Sequence, residues 1–324
     1  MKPHNFFQLF PRKQNYSREL WGNPGSHGTA VAGIAAANGN DLTGMAPDAT
    51  IYNYKVLATN RFLNSDDFDG ALAIQQALED GAHIANCSWG AGPAGDGTSR
   101  EARACNAAWA LGLTIVKSAG NQGPGASTLT TPADADGVIV VGATDREGGA
   151  VQDYSSRGPT SSGQSRPHLV APGGAPERGI DSCLPQGGFG DCGHGTSFAA
   201  PHVSGMLALI LEREPELTPE ELRAKLLSIC AAFDANDTNT HGAGLVSLAR
   251  LLYPKSGSRA WGTSRAATLS SSESCTTPWA GTRAQCLVDP CPARDLAAGF
   301  LDRLFDREHV ADECLLPRRD LLRP

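Results

Sequence analysis

Three kinds of feature are scarce in this chain of 324 residues, and each scarcity narrows what it can be. No apolar segment is long and uninterrupted enough to cross a bilayer, so no membrane span is predicted. Lys and Arg form no run and the net charge is −7, which disfavours a nucleic-acid partner. Aromatic residues make up only 6% against 37 glycines, a composition that indicates tightly packed helices on a sheet with many glycine turns.

The first 26 residues lack a hydrophobic period, and they also lack aspartate; Glu19 is their one acidic residue. Their apolar run, residues 6–10, is too short for a signal peptide and is followed by Pro11, Arg12 and Lys13. We therefore predict an irregular N-terminal segment over residues 1–26, with no visible signal peptide.

Nine cysteines are present, an odd number. Cys183 and Cys192 flank a glycine-rich loop and could form a local disulfide. Three others lie in predicted apolar elements and are expected to be buried thiols: Cys87, Cys105 and Cys230. The last four lie in the C-terminal tail, where the absence of Cys-x-x-Cys pairs disfavours zinc and favours disulfides in an oxidising compartment: Cys275, Cys286, Cys291 and Cys314.

Apolar strands alternate with helices through the middle of the chain. The expected strands are residues 51–57, 83–87, 114–118 and 138–142, and the expected helices are residues 66–79 and 99–111. Such alternation predicts an α/β fold with a mostly parallel sheet and helices on both faces. In such sheets, functional sites form where the carboxyl ends of the strands meet the loops.

Two helix starts carry chemically reactive side chains. Ser197 follows Gly193-His194-Gly195 and precedes a long apolar run, so it lies at the positive end of a buried helix. Pro201 cannot donate an N–H back to the carbonyl of residue 197, which loosens the first turn. His27 begins a second helix, rich in alanine and glycine, that can pack closely against its neighbours. Either residue alone could serve only as a helix cap or a packed side chain.

Taken with Ser118-Ala119-Gly120-Asn121, these two stretches resemble the subtilisin-like serine proteases, the subtilases or peptidase S8 family, from about residue 27 to residue 253. The resemblance implies a three-layer α/β/α fold and a serine endopeptidase. It implies that Ser197 is the nucleophile, His27 the general base and Asn121 an oxyanion donor beside the Ser197 N–H.

The same resemblance assigns the substrate-binding segments. Ser88, Trp89 and Gly90 would pair with an extended peptide, and Ser118, Ala119 and Gly120 would form the opposite rim and a wall of the first specificity pocket. Trp89 could narrow a subsite or belong to the core, and the sequence leaves both readings open.

Three other residues near these motifs receive secondary predictions. Asp134 and Asp136 suggest a weak preference for basic substrate residues. His194 stands where the family often has asparagine, and its loop should turn it away from the base position. Further on, Thr218, Pro219 and Glu221 predict a capped helix start.

The family's triad begins with an aspartate upstream of the histidine, and this sequence has none before Asp41, which should lie at the far end of the His27 helix. We expect a chain truncated at its front. The alternative is a pseudoprotease that binds extended peptides without efficient cleavage. An ester hydrolase is disfavoured, because residues 195–199 do not form a Gly-x-Ser-x-Gly elbow.

These observations predict three parts: the N-terminal segment 1–26, a peptidase domain over 27–253, and a linker with a cysteine-containing tail over 254–324, which has an amphipathic helix around residues 296–305. The resemblance implies a polypeptide substrate, a monomer, and a secreted or extracytoplasmic location. It allows a calcium ion but places no site, since residues 234–239 fail the EF-hand spacing and indicate a polar turn. No other cofactor is predicted.

Overall fold

The computed structural model describes residues 6–9, 26–54, 56, 70–90, 92–233 and 237–252. The strands are β1 (Phe6–Leu9), β2 (Ile51–Tyr54), β3 (Ile84–Cys87), β4 (Thr114–Ser118), β5 (Ile139–Thr144), β6 (Leu169–Pro172), β7 (Asp181–Cys183) and β8 (Phe189–Asp191). The helices are α1 (Ser26–Ala36), α2 (Gly70–Glu79), α3 (Arg100–Ala110), α4 (Thr196–Arg213), α5 (Pro219–Ser228), α6 (Thr238–His241) and α7 (Leu248–Leu252).

A parallel sheet of β3, β4, β5 and β6, in that order, forms the centre of the fold. Every residue of β3, β4 and β5 is buried, because helices cover both faces of the sheet. Ile115 packs with α2 and α3 on one face, and its neighbour Val116 packs with α4 and α5 on the other. The predicted three-layer arrangement is therefore confirmed.

Helix α1 lies against both α4 and the β7–β8 hairpin, and small residues permit the approach. A Cβ atom on Gly205 of α4 would lie 2.9 Å from the Ala35 carbonyl oxygen, and one on Gly33 would lie 2.4 Å from the Ser182 hydroxyl oxygen. The close packing expected from the glycine-rich and alanine-rich sequence is thus present.

The prediction of an irregular segment over residues 1–26 is wrong at two places. β1 pairs in parallel with β2, with Phe6 opposite Ile51 and Leu9 opposite Tyr54, and α1 begins at Ser26. A strand of four residues is too short to produce a periodic signal, and it forms because the open edge of β2 supplies partners for its backbone.

One further expectation fails. Cys183 and Cys192 are free thiols, because Cys183 pairs with Phe189 in the hairpin while the Cys192 N–H donates to the Ile180 carbonyl. The two cysteines are therefore offset along the ribbon. The buried thiols Cys87, Cys105 and Cys230 lie as expected.

The linker, the tail cysteines and the amphipathic helix around 296–305 lie outside the described residues. Within the described part of the chain, no helix combines the length and apolarity needed to cross a bilayer.

Candidate active site

Ser197 is the second residue of α4, a helix whose own residues provide no side-chain cap for its first backbone N–H groups. The residue before the helix, Gly195, offers no side-chain cap, and the first turn contains no acidic residue. Among the described residues, no hydrogen bond is formed by the Ser197 N–H. The predicted position at the positive end of a buried helix is confirmed, and a backbone donor remains free there.

Pro201 has the effect that its chemistry predicts. Because it lacks an N–H, the Ser197 carbonyl loses its helical partner, and the hydroxyl of Ser88 donates to that oxygen at 2.7 Å instead. In return, the Ser197 hydroxyl donates to the Ser88 carbonyl at 3.3 Å. The end of β3 and the start of α4 are thus joined by a reciprocal pair of bonds.

A network of buried polar side chains holds Ser88 in this position. The Asn86 amide donates to the Ser88 hydroxyl at 2.8 Å, and the Ser204 hydroxyl donates to the Asn86 side-chain oxygen at 3.1 Å. All three side chains belong to buried residues. Each side chain in this network has a hydrogen-bond partner. The network can therefore hold the start of α4 against the sheet, and no buried polar group in it is left unpaired.

His27 is the second residue of α1 and is half-buried beside α4. Its ring centroid lies 5.8 Å from that of Phe198, the residue after Ser197. Burial lowers the pKa of His27 below its ordinary value, so the imidazole is neutral at pH 7 and can accept a proton. In this structure the Ser197 hydroxyl bonds to Ser88 rather than to the imidazole.

Asn121 lies three residues beyond β4, and its amide is oriented by Thr196. The Asn121 Oδ1 atom accepts hydrogen bonds of 2.9 Å from both the N–H and the hydroxyl of Thr196. The amide Nδ2 atom is therefore turned away from those donors, and it lies 3.2 Å from where a Cβ atom on Gly195 would stand. Its N–H groups have no hydrogen-bond partner among the described residues.

The two predicted substrate segments follow neighbouring strands and face each other across Thr130. A Cβ atom on Gly90 would lie 2.4 Å from the Thr130 hydroxyl oxygen, and one on Gly120 would lie 2.9 Å from its methyl carbon. Ser118 and Ala119 are buried, and the Ser118 hydroxyl donates to the Cys87 carbonyl at 3.3 Å. Trp89 packs partly buried against the α2 and α3 face of the core, which favours the core reading.

The suggested preference for basic residues finds no support in Asp134 or Asp136. The buried Asp134 carboxylate accepts the N–H groups of Gly95 and Gly97 at 3.1 and 3.0 Å, so it holds that loop. The Asp136 side chain binds Gln164 at the surface.

Among the described residues, no hydrogen bond joins Asp41 or His194 to His27 or Ser197. Asp41 is exposed in the loop after α1, beyond the end of the helix opposite His27. The ring centroid of His194 lies 5.1 Å from that of Tyr154. His194 and Tyr154 belong to a cavity of about 420 Å³ whose lining residues are Val151, Gln152, Asp153, Tyr154, Pro176 and His194.

Sequence reasoning missed Lys117 and Thr130. Lys117 is wholly buried in β4, and its ammonium group donates to the Thr130 hydroxyl at 3.3 Å. A lysine within the apolar strand sequence Thr-Ile-Val-Lys-Ser is the signal that could have found it.

Residues 11–244 match the profile described as the Subtilase family. The chain belongs to the subtilase family. It is similar to Serine protease AprX of Bacillus subtilis (strain 168), at 32% identity over 248 residues, which span 68% of this chain and 56% of AprX. It is also similar to Subtilisin DY of Bacillus licheniformis, at 34% identity over 227 residues, with 68% of this chain and 76% of the relative covered.

Solved structures agree with this subtilase fold. A structure titled S41 Psychrophilic Protease has a TM-score of 0.61 and 25% identity, and the match covers 76% of this chain and 91% of that structure. Sphericase has a TM-score of 0.58 and 32% identity, with 69% and 77% covered. The chain spans about half the length of several of the curated relatives that it matches.

Subtilases commonly bind calcium. Hard cations take several oxygen ligands, most often from carboxylates. Among the described residues, no group of three or more His, Cys, Asp or Glu side chains is arranged to hold a metal ion. That part of the chain therefore offers no site for calcium built on such side chains.

Proposed function

We propose that this chain is a serine endopeptidase in which Ser197 attacks a peptide carbonyl carbon. The proton of the Ser197 hydroxyl passes to the neutral imidazole of His27, which later donates it to the leaving amine. The packing of α1 on α4, with the His27 ring against Phe198, is what supports this pairing. A side-chain rotation of Ser197 away from the Ser88 carbonyl precedes the attack.

The observation that carries the proposal is the orientation of Asn121. Because Thr196 holds its Oδ1 atom, the Nδ2 donors remain free beside the start of α4. With the free N–H of Ser197, they offer two donors for the negative oxygen of a tetrahedral intermediate. An amide suits this role because it donates without titrating.

The substrate is an extended polypeptide. We assign its backbone to the segment Ser88, Trp89 and Gly90, and its first side chain to the space between that segment and Ser118, Ala119 and Gly120. We further propose a monomer that acts outside the cytoplasm, with the peptidase domain spanning residues 27–253.

A second candidate is a pseudoprotease that binds extended peptides without efficient cleavage. Loss of the triad carboxylate costs serine proteases about four orders of magnitude in turnover. The described part of the chain contains no carboxylate in hydrogen-bond contact with His27.

A fluorophosphonate probe separates the two candidates. We expect the probe to attach to Ser197, as located by peptide mass spectrometry, and labelling to disappear in Ser197→Ala and fall sharply in His27→Ala. Thermal melting of each variant confirms that it folds. An unlabelled but folded chain that still binds an extended peptide would favour the pseudoprotease.

A further inference from the structure

A basic side chain lies inside the core beneath the two substrate segments. Lys117 is 0% exposed, and its ammonium group donates to the Ser118 carbonyl and, at 3.4 and 3.3 Å, to the hydroxyls of Ser118 and Thr130. Among the described residues, no carboxylate forms a salt bridge with it. Because an unpaired buried cation is costly, its place here needs a reason.

The groups around Lys117 do not neutralise its charge by direct pairing. They are Cys87 from β3, Cys105 from α3 and Asp134 from the loop before β5. Burial raises the pKa of both thiols, that of Cys87 to about 12, so they stay neutral. Asp134 contributes only at a distance, since one of its oxygens binds the loop N–H groups and the other has no hydrogen-bond partner.

Burial also lowers the pKa of Lys117, to about 8. The side chain is therefore mostly charged at pH 6.5 and mostly neutral at pH 9. The positive charge beneath the substrate segments can thus be removed by a mild rise in pH that leaves a glutamate side chain ionised.

Thr130 connects this charge to the groove. Its side chain is half-buried between Gly90 and Gly120. Its oxygen accepts from Lys117, and its own hydrogen is donated to the Ala119 carbonyl over a long distance of 3.4 Å. Because that bond is long, an acceptor in the groove that lies closer to the Thr130 hydroxyl can take its place.

The groove lies beside the reactive hydroxyl. Gly120 is adjacent to Asn121, and Gly90 lies two residues from Ser88, which exchanges hydrogen bonds with Ser197. The side chain that enters between the two segments therefore belongs to the residue whose carbonyl Ser197 reaches.

We propose that Lys117, acting through the Thr130 hydroxyl, makes this subsite select a carboxylate side chain, glutamate over glutamine, on the acyl side of the cleaved bond. The inference rests on the proposed function. Lys117 is a positioning residue here, because it supplies the charge and orients the Thr130 hydroxyl without touching the substrate.

The test compares two p-nitroanilide peptides that differ only in Glu or Gln before the scissile bond. At pH 6.5 we expect kcat/KM to be about tenfold higher for Glu, since a charge-assisted hydrogen bond is stronger than a neutral one. The ratio should fall to one or below by pH 9. Effects of pH on Ser197 and His27 cancel in this ratio.

Lys117→Met is the matched variant, because it keeps the length of the side chain and removes the charge. Its Glu to Gln ratio should be near one at every pH, and Thr130→Val should lower the ratio while keeping the shape of the side chain. A ratio of one in the unaltered chain, or the same pH dependence in Lys117→Met, would overturn the inference.

Binding decides the question even for a chain that does not cleave. Fluorescein-labelled tetrapeptides ending in Glu or Gln are titrated into Ser197→Ala and followed by fluorescence anisotropy, with the same preference expected at pH 6.5. Equal binding, or no binding of either peptide, contradicts the subsite. Failure of the proposed function shows itself separately, as absence of casein hydrolysis and of probe attachment to Ser197.

Discussion

Helices α4 and α5 follow each other in the chain but begin in opposite ways. At the start of α5, the Thr218 side chain accepts from the Glu221 N–H at 3.4 Å, and the Glu221 carboxylate accepts from the Thr218 N–H at 2.8 Å. At the start of α4, Gly195 supplies no cap and no acid follows. At the start of α5, side chains of the helix accept hydrogen bonds from the first backbone N–H groups. At the start of α4, no side chain of the helix caps the backbone N–H groups.

The difference separates a structural helix start from one that is suited to chemistry. A carboxylate beside α5 permanently occupies the positive end of that helix. The same end of α4 is held only from its flanks, by Asn121 on Thr196 and by Ser88 on Ser197. Its free N–H can then stabilise a negative charge that exists only during a reaction.

The substitution Ser197→Ala is the strongest test of the difference between the starts of α4 and α5. We expect casein hydrolysis to fall to the background rate, because the nucleophile is lost. Thr218→Ala is the matched control, since it removes a hydroxyl from the start of the other helix and should leave the rate unchanged. Retained hydrolysis by folded Ser197→Ala would show that α4 does not supply the nucleophile.

Asn121→Ala tests the donor that flanks the free end of α4. We expect kcat to fall by a factor of about 10² to 10³ with KM nearly unchanged, because the lost bond forms only with the developing oxyanion. Steady-state kinetics on a peptide p-nitroanilide measure both constants. A rise in KM at constant kcat would instead make Asn121 a ground-state binding residue.

The two helices should also differ in their response to acid. The ring of His202 in α4 lies 2.9 Å from the Phe198 carbonyl through Nδ1, and burial lowers its pKa to about 4, whereas α5 has no histidine. Below pH 6.5, His202 binds a proton in the unfolded chain but stays neutral in the folded chain. The free energy of unfolding therefore falls as the pH falls. The expected loss from this residue is about 2 kcal/mol between pH 7 and pH 5.

Urea unfolding at the two pH values measures this loss, and His202→Gln should reduce the difference by that amount. An unchanged pH dependence in the variant would show that His202 is protonated in the folded chain.

The smallest effect is expected at the capped helix. Thr218→Ala should lower the free energy of unfolding by about 1 kcal/mol, because the N–H of Glu221 loses its acceptor. Thr218→Ser keeps the acceptor and should retain most of the stability. Urea unfolding checks both variants, and a Thr218→Ala variant as stable as the original would show that the capping box contributes nothing.

Local signals predicted the local features of the fold. The bounds of β4 agree with the prediction, residues 114–118, and the capping box at Thr218 and Glu221 is confirmed. Hydrophobic period and cap chemistry act within a few residues, so a single sequence displays them.

Features that depend on distant partners escaped prediction. The bond from Ser88 to the Ser197 carbonyl joins residues 109 positions apart, and only the freed carbonyl could be foreseen from Pro201. Likewise, the role proposed for Lys117 depends on its hydrogen bond to Thr130, which lies in the following loop. The predicted disulfide failed because the hairpin register, which the sequence does not display, offsets Cys183 from Cys192.

The most direct measurement is the rate at which a fluorophosphonate attaches to Ser197, followed from pH 4 to pH 9 in the unaltered chain and in His27→Ala. If His27 at the start of α1 accepts the proton of Ser197 at the start of α4, the labelling rate rises with a midpoint below pH 6.5, because burial lowers the pKa of His27. That rise should vanish in the variant. An equal rate and an equal pH profile in both proteins would contradict the account.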